Sequence, residues 1–177
     1  IYFYAVLSDG TTAGNRTAFF LIGTFMALWV ILYGLIQANA PRILRAKTRP
    51  TDELIKVARG WAWRLAAVPA ILTGVAIIAG EPQLWLTITL VAGLLIFGIV
   101  FALNSSLHSY LILSFTKAER VTLDVGFYYM ANAAGRLAGT LLSGLTYQIC
   151  GLPLMLGVAA FMVALSAIMV GLLKPER

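Results

Sequence analysis

Arg136 lies in the middle of a stretch, residues 125–145, that is otherwise mostly apolar or small. An arginine at the centre of a membrane helix costs about 2.5 to 3.5 kcal/mol on insertion scales, so it faces a bundle interior or a watery cavity and takes a partner. Its guanidinium is a planar fork of donors matched to phosphate or carboxylate. Two occupants fit that fork: an acidic or carbonyl group on another segment, or an anionic ligand. No acidic residue lies at mid-depth in any other apolar stretch of the chain. Asp124 is about 18 Å away along a helix axis, too far to neutralise it. A site that binds or couples to something negative is therefore expected.

Asn132 and Thr140 stand one turn to either side of Arg136 and offer hydrogen bonds on its face. They belong to a row spaced by four: Asp124, Tyr128, Asn132, Arg136 and Thr140. Four residues overshoot a helical turn by about 40°, so the row winds round the helix and only near neighbours share a face. Beside it Ala131, Gly135, Gly139 and Ser143 form a line of small residues that lets a neighbouring helix approach closely. A close-packing side next to a polar side suits a helix that lines a cavity, although such small-residue lines recur in any membrane bundle.

A second polar patch contains Asn104, Ser105, Ser106, His108, Ser109 and Tyr110. Asn104 and His108 are spaced to share a helix face. Histidine is the side-chain type that exchanges protons near neutral pH, which makes His108, the only histidine, a proton-coupling candidate beside the alternative of a packed or interfacial ring. Asp124 is the second candidate; at the start of its helix it equally suits the positive end of the helix dipole. Ser106, His108 and Asp124 also form the residue set of a hydrolase, but residue types without geometry have no standing, and no enzyme activity is expected. Cys150 is alone, which leaves no disulfide framework and no cysteine-based metal site within the chain. Neither metal nor cofactor is expected. Phe127 reads as a packing residue, and Tyr128 and Tyr129 line a cavity or pack, needing hydrogen-bond partners for their phenols if buried.

The elements that position these residues follow from composition. Of the 177 residues 60% are hydrophobic and 11% charged, and the mean hydropathy is +0.90. A soluble domain is nearer 45–50% apolar, so that class is excluded and an all-α membrane protein is expected. Spans are expected over about 17–39, 61–80, 84–115, 121–147 and 152–173, with residues 1–7 the tail of a further helix. No period-two alternation suggests barrel strands. The third span, about 48 Å long as helix, must tilt, project or kink near its polar patch. Pro69 is expected to kink the second. Residues 40–60 read as a polar loop whose later part, starting at Thr51 and Asp52 after Pro50, forms an interfacial helix leading into the second span. Such a loop serves as a tether or as a gate.

Arg42, Arg45, Lys47, Arg49, Lys56, Arg59, Arg64, Lys117, Arg120, Lys174 and Arg177 fall on one side of that layout, and Arg16 falls on the other. The positive-inside rule makes the rich side cytoplasmic, with the C-terminus inside. It also accounts for the net charge of +6 without nucleic-acid or lipid-specific binding, and no polybasic cluster is dense enough to change that expectation. The first residue is Ile1 and no charged segment precedes a short apolar core, so no signal peptide is read and a fragment of a longer protein is expected.

Two motif runs carry a family resemblance: residues 101–112, FALNSSLHSYLI, and residues 123–133, LDVGFYYMANA. They are followed by Gly135, Arg136, Leu137, Gly139, Thr140, Leu142, Ser143, Gly144, Tyr147 and Gln148. Together these resemble the C-terminal half of ArsJ-type organoarsenical efflux permeases, members of the major facilitator superfamily. The match is densest over residues 101–148, and the spans fit a six-helix half: a truncated helix seven followed by helices eight to twelve. The resemblance implies a bacterial inner-membrane, multi-pass exporter of 1-arseno-3-phosphoglycerate that confers arsenate resistance. Its partners would be the lipid bilayer, an N-terminal six-helix half, the anionic substrate and, functionally, a glyceraldehyde-3-phosphate dehydrogenase. On this resemblance Arg136 contacts the phosphate or arsenate and Asn104 and Asn132 supply hydrogen bonds, with Tyr128 and Thr140 beside them. His108 or Asp124 couples the cycle to protons. The superfamily's signature loop does not occur in the chain, and the site in this fold lies between two halves. A facilitator for another cargo, such as a sugar, drug or metabolite, and a non-transporting membrane scaffold remain alternatives.

Overall fold

The structure, a computed structural model, describes residues 2–45, 48–116 and 118–174. Lys47, Lys117 and Arg177 of the basic set lie outside these residues. The described chain is helical: α1 (Tyr2–Leu7), α2 (Thr12–Leu44), α3 (Thr51–Ala79), α4 (Leu84–Phe115) and α5 (Val121–Gly171), with a 3-10 turn over Ala118–Arg120. Four of the five helices, α2 to α5, are long and apolar enough to cross a bilayer. With large apolar side chains turned outward along them, as at Phe19, Leu28 and Ile78, the chain is a multi-pass, all-α membrane protein.

A capped turn starts α2. Thr11, in extended conformation, accepts the Gly14 N–H on its hydroxyl oxygen at 3.0 Å. The Asp9 carboxylate accepts in turn from the Thr11 N–H at 2.9 Å and the Thr11 hydroxyl at 2.7 Å. Helix starts carry N–H groups without intrahelical partners, and this relay satisfies one of them.

The polar loop expected over residues 40–60 is mostly helix. α2 continues through Pro41 to Leu44, and α3 begins at Thr51 and runs without interruption into the expected second span. Packing explains the extension: Ala40 and Leu44 are buried in one cluster with Leu54, Ile55, Ala58, Leu103, Leu107, Leu111 and Val170. Stopping α2 earlier would expose that surface, worth about 1.5–3 kcal/mol for a fully buried leucine. The helix expected to start at Thr51 is thus the first turns of α3 itself. The short connection is tied by Arg49, whose Nε donates to the Leu44 carbonyl at 3.0 Å while Nη1 pairs with Glu53 on α3. Arg45 ends α2 in left-handed conformation (φ 50°, ψ 38°), a position usually left to glycine or asparagine.

α3 is the central helix, against which α4 and α5 pack, while α2 packs on α4. At the end opposite the first cluster, Tyr2, Leu72, Ala76, Leu86, Leu90, Leu152 and Leu156 form a second one. α4 runs unbroken through its polar patch, and α3 remains helical through Pro69, whose carbonyl accepts the Thr73 hydroxyl at 2.7 Å.

α5 bends at Cys150 (φ −139°, ψ 23°) and Gly151 (φ 69°, ψ −156°), in the turn the sequence places there. The Gly151 conformation is closed to residues with a Cβ. The two arms, residues 121–149 and 152–171, face one another across a groove, so α5 is a helical hairpin. Its second arm packs on α3, with Gly157 opposite Thr73 and Gly171 opposite Arg59. Its first arm is exposed on all sides from residue 129 to residue 143.

Candidate functional site

Arg136 stands on that exposed stretch. At 1.5 Å per residue it is about 21 Å from the bend and about 18 Å from Asp124, which is mid-depth along the arm. Among the described residues its guanidinium makes no hydrogen bond and no ion pair; the one ion pair is Arg49 with Glu53. Asn132, also exposed, likewise has no side-chain partner among the described residues, and the Thr140 hydroxyl donates to the Arg136 carbonyl at 2.8 Å. The face that carries Arg136, Asn132 and Thr140 is therefore open, with no acidic neighbour among the described residues to neutralise the charge.

The small-residue line divides. Gly135, Gly139 and Ser143 line the groove inside the hairpin, about 280 Å³, opposite Met155, Val158 and Ala159. A Cβ added at Gly135 or Gly139 would meet nothing within 4 Å. The close helix approach expected of this line is not made within the described residues. Ala131 lies further along the same exposed stretch.

Asn104 is separate from these groups. It is buried on α4 and its Oδ1 has no hydrogen-bond partner, a costly state inside a membrane bundle. Its backbone carbonyl is 2.8 Å from His108 Nδ1. A carbonyl only accepts, so the proton of that bond is on Nδ1, and in the neutral ring Nε2 carries the free lone pair.

His108 shares a groove with Asp124 and Tyr128. The three line one open groove of about 570 Å³ between the end of α4, the start of α5 and the end of α5, with Phe115, Phe127 and Leu173 as its apolar walls. Both proton-coupling candidates thus come together, and Tyr128 joins them and not Arg136. Drift along the row explains the separation: over the eight positions from Tyr128 to Arg136 the helix advances about 12 Å and the row turns about 80°. The groove lies at the end that holds the first buried cluster, where Leu107, Leu111 and Val170 meet. It is a mouth of the bundle and not its centre.

No family model, curated protein or solved structure matches the chain. What stands is the class, a multi-pass helical membrane protein, with two polar features of its own: an open arm bearing Arg136 and a mouth bearing His108 and Asp124. Sequence reasoning missed the wall contributed by Leu173, because only the hairpin brings residue 173 beside residue 128. It also missed Trp29, whose Nε1 donates to the Leu94 carbonyl at 2.8 Å and pins α2 to α4. A lone indole N–H in an apolar span was the available signal, since it must find an acceptor.

Proposed function

We propose that this chain is the C-terminal half of a major facilitator exporter, the end of helix seven through helix twelve, and that it moves an organic oxyanion. The observation that carries the reading is the unpaired guanidinium of Arg136 at mid-depth on a helix face that the rest of the described chain leaves open. A second half-bundle would close that face and leave a water-filled site between the halves, where an anion could enter the fork. The resemblance to ArsJ-type permeases narrows the cargo to 1-arseno-3-phosphoglycerate, made with a glyceraldehyde-3-phosphate dehydrogenase. It also gives the setting, a bacterial inner membrane with the basic end and the C-terminus in the cytoplasm. The protein catalyses no chemical step and holds no cofactor. Antiport is assigned to His108 and Asp124, one proton acceptor and one carboxylate in the same mouth.

The test is uptake into everted vesicles containing the full-length protein, supplied from outside with the organoarsenical or with inorganic phosphate as control, since everting the membrane turns export into uptake. Arg136→Lys keeps the charge and loses the fork, and export should fall at least about tenfold, the loss of one charge-assisted bond of about 1.5–3 kcal/mol. Undiminished export by this variant removes Arg136 from the site. Export of other anions but not of the organoarsenical keeps the site and rejects the cargo.

A further inference from the structure

The outer face of α3 carries a stripe at helical spacing: Lys56, Arg59, Trp63, Ala67, Ala70, Ile77 and Ile78, with every member exposed. The packing of α5 on α3 adds to it. A Cβ at Gly171 would stand 3.0 Å from the Arg59 Cδ and 3.6 Å from its Nη1, so the Arg59 side chain lies over the end of α5. The antiparallel register that sets Gly157 against Thr73 and Gly171 against Arg59 brings the end of α5, three residues before Lys174, to the turn of α3 that carries Arg59 and Lys56. Beside them the Arg64 guanidinium lies 5.0 Å from the centre of the Trp61 ring.

Lys56, Arg59, Arg64 and Lys174 have no carboxylate partner among the described residues; Glu53 is taken by Arg49, and Asp52, one turn before Lys56, makes no ion pair. Two independent markers place this cluster at the headgroup level of the bilayer. One is tryptophan at positions 61 and 63, the residue type that collects at membrane interfaces. The other is the end of the last apolar arm at Leu173. Immediately deeper, Ala67 and Ala70 form a track of small exposed side chains, with Ile71, Ile77 and Ile78 also exposed on α3.

We propose that Arg59 and Lys174, assisted by Lys56, bind the phosphate of an anionic lipid headgroup, with Trp63 at the glycerol level and the alanine track taking an acyl chain. Free phosphate would find the same cations, but only a lipid uses the apolar track as well. The site joins α3 to the end of α5, so an occupied headgroup would brace the hairpin against the central helix. It lies apart from Arg136 and borders the His108 mouth, whose wall residue Leu173 precedes Lys174, but it does not rest on the transport reading.

The experiment is native mass spectrometry of the full-length protein released from nanodiscs of equal phosphatidylglycerol and phosphatidylcholine content. Retained phosphatidylglycerol is expected to exceed phosphatidylcholine. It should weaken about fivefold for each charge removed in Arg59→Gln and Lys174→Gln, since one basic residue near an anionic surface is worth about that factor. Arg16→Gln, at the other end of the bundle, should change nothing. Ala67→Trp, which fills the track and keeps the cations, should lower lipid retention without affecting inorganic phosphate. Equal retention of both lipids, or retention unmoved by the double variant Arg59→Gln with Lys174→Gln, overturns the proposal. Displacement of the lipid by millimolar phosphate would overturn the lipid as occupant.

Discussion

Gly98 makes room for Trp29. A Cβ built at position 98 would stand 2.7 Å from the indole Nε1 and 2.9 Å from Cε2, and the same indole N–H reaches the Leu94 carbonyl one turn earlier on α4. Glycine here permits a side chain on α2 to lie flat against the α4 backbone and satisfy its only donor. Trp29 then stacks on Tyr33, with ring centres 5.9 Å apart, and Tyr33 meets Phe101 at 5.5 Å, extending the α2–α4 contact.

Gly98→Ala should therefore destabilise the folded protein by about 1–3 kcal/mol, the usual range for overpacking, despite the better helix propensity of alanine. Trp29→Phe should cost about 1 kcal/mol through the lost bond. Combined, the two changes should be less than additive, because phenylalanine no longer needs the space. Unfolding midpoints in detergent measure all three. As a control, Gly157→Ala places its Cβ at an ordinary 3.6 Å from Thr73 and should be close to neutral.

Much of this framework was legible in sequence, for identifiable reasons. Apolar run length gave α4 its bounds at Leu84 and Phe115, and the break between the spans read over 121–147 and 152–173 marked the hairpin bend. The extent of α2 was not legible, because Pro41 and a run of cations read locally as a loop while the burial of Ala40 and Leu44 that overrides them is tertiary. The candidate site divides the same way. Local spacing set Asn104 beside His108 and Asn132 beside Arg136. That Asp124 and Tyr128 share a groove with His108, and that the Arg136 guanidinium has no hydrogen bond or ion pair among the described residues, depends on how α5 folds back.

Gly135→Leu and Gly139→Leu separate folding from function on the open arm. With nothing within 4 Å of a Cβ at either position, the unfolding midpoint of the chain should stay within about 0.5 kcal/mol of the parent, as for other exposed sites. If the two arms of the hairpin close on their groove during transport, the same variants should abolish export in the full-length protein, because a small-residue line tolerates no bulk at a helix contact. Vesicle export and thermal unfolding, measured on the same preparations, give the comparison.

Asp9 makes the start of α2 sensitive to acid. The Thr11 hydroxyl, and then the Thr11 N–H, hold its carboxyl below the ordinary value of 3.8. A carboxyl lowered on folding contributes stability that is fully present above its unfolded value and is lost as pH falls through the folded one. Amide exchange at Gly14 and Asn15 should be slower in the parent than in Asp9→Asn at neutral pH. That difference should close as the pH falls through the lowered value of the Asp9 carboxyl.

His108 offers a direct view of the mouth because it is the only histidine in the chain. Labelling histidine with nitrogen-15 gives one pair of ring signals from the full-length protein in nanodiscs. With Nδ1–H held on the Asn104 carbonyl at 2.8 Å, the neutral ring should show a protonated Nδ1 and an unprotonated Nε2. Asp124→Asn should preserve that tautomer, since a backbone carbonyl sets it, while uncoupling export from the proton gradient. His108→Gln should uncouple it equally. A neutral ring protonated on Nε2 would place the free lone pair against the backbone, away from the groove shared with Asp124, and would remove His108 from any proton path through that mouth.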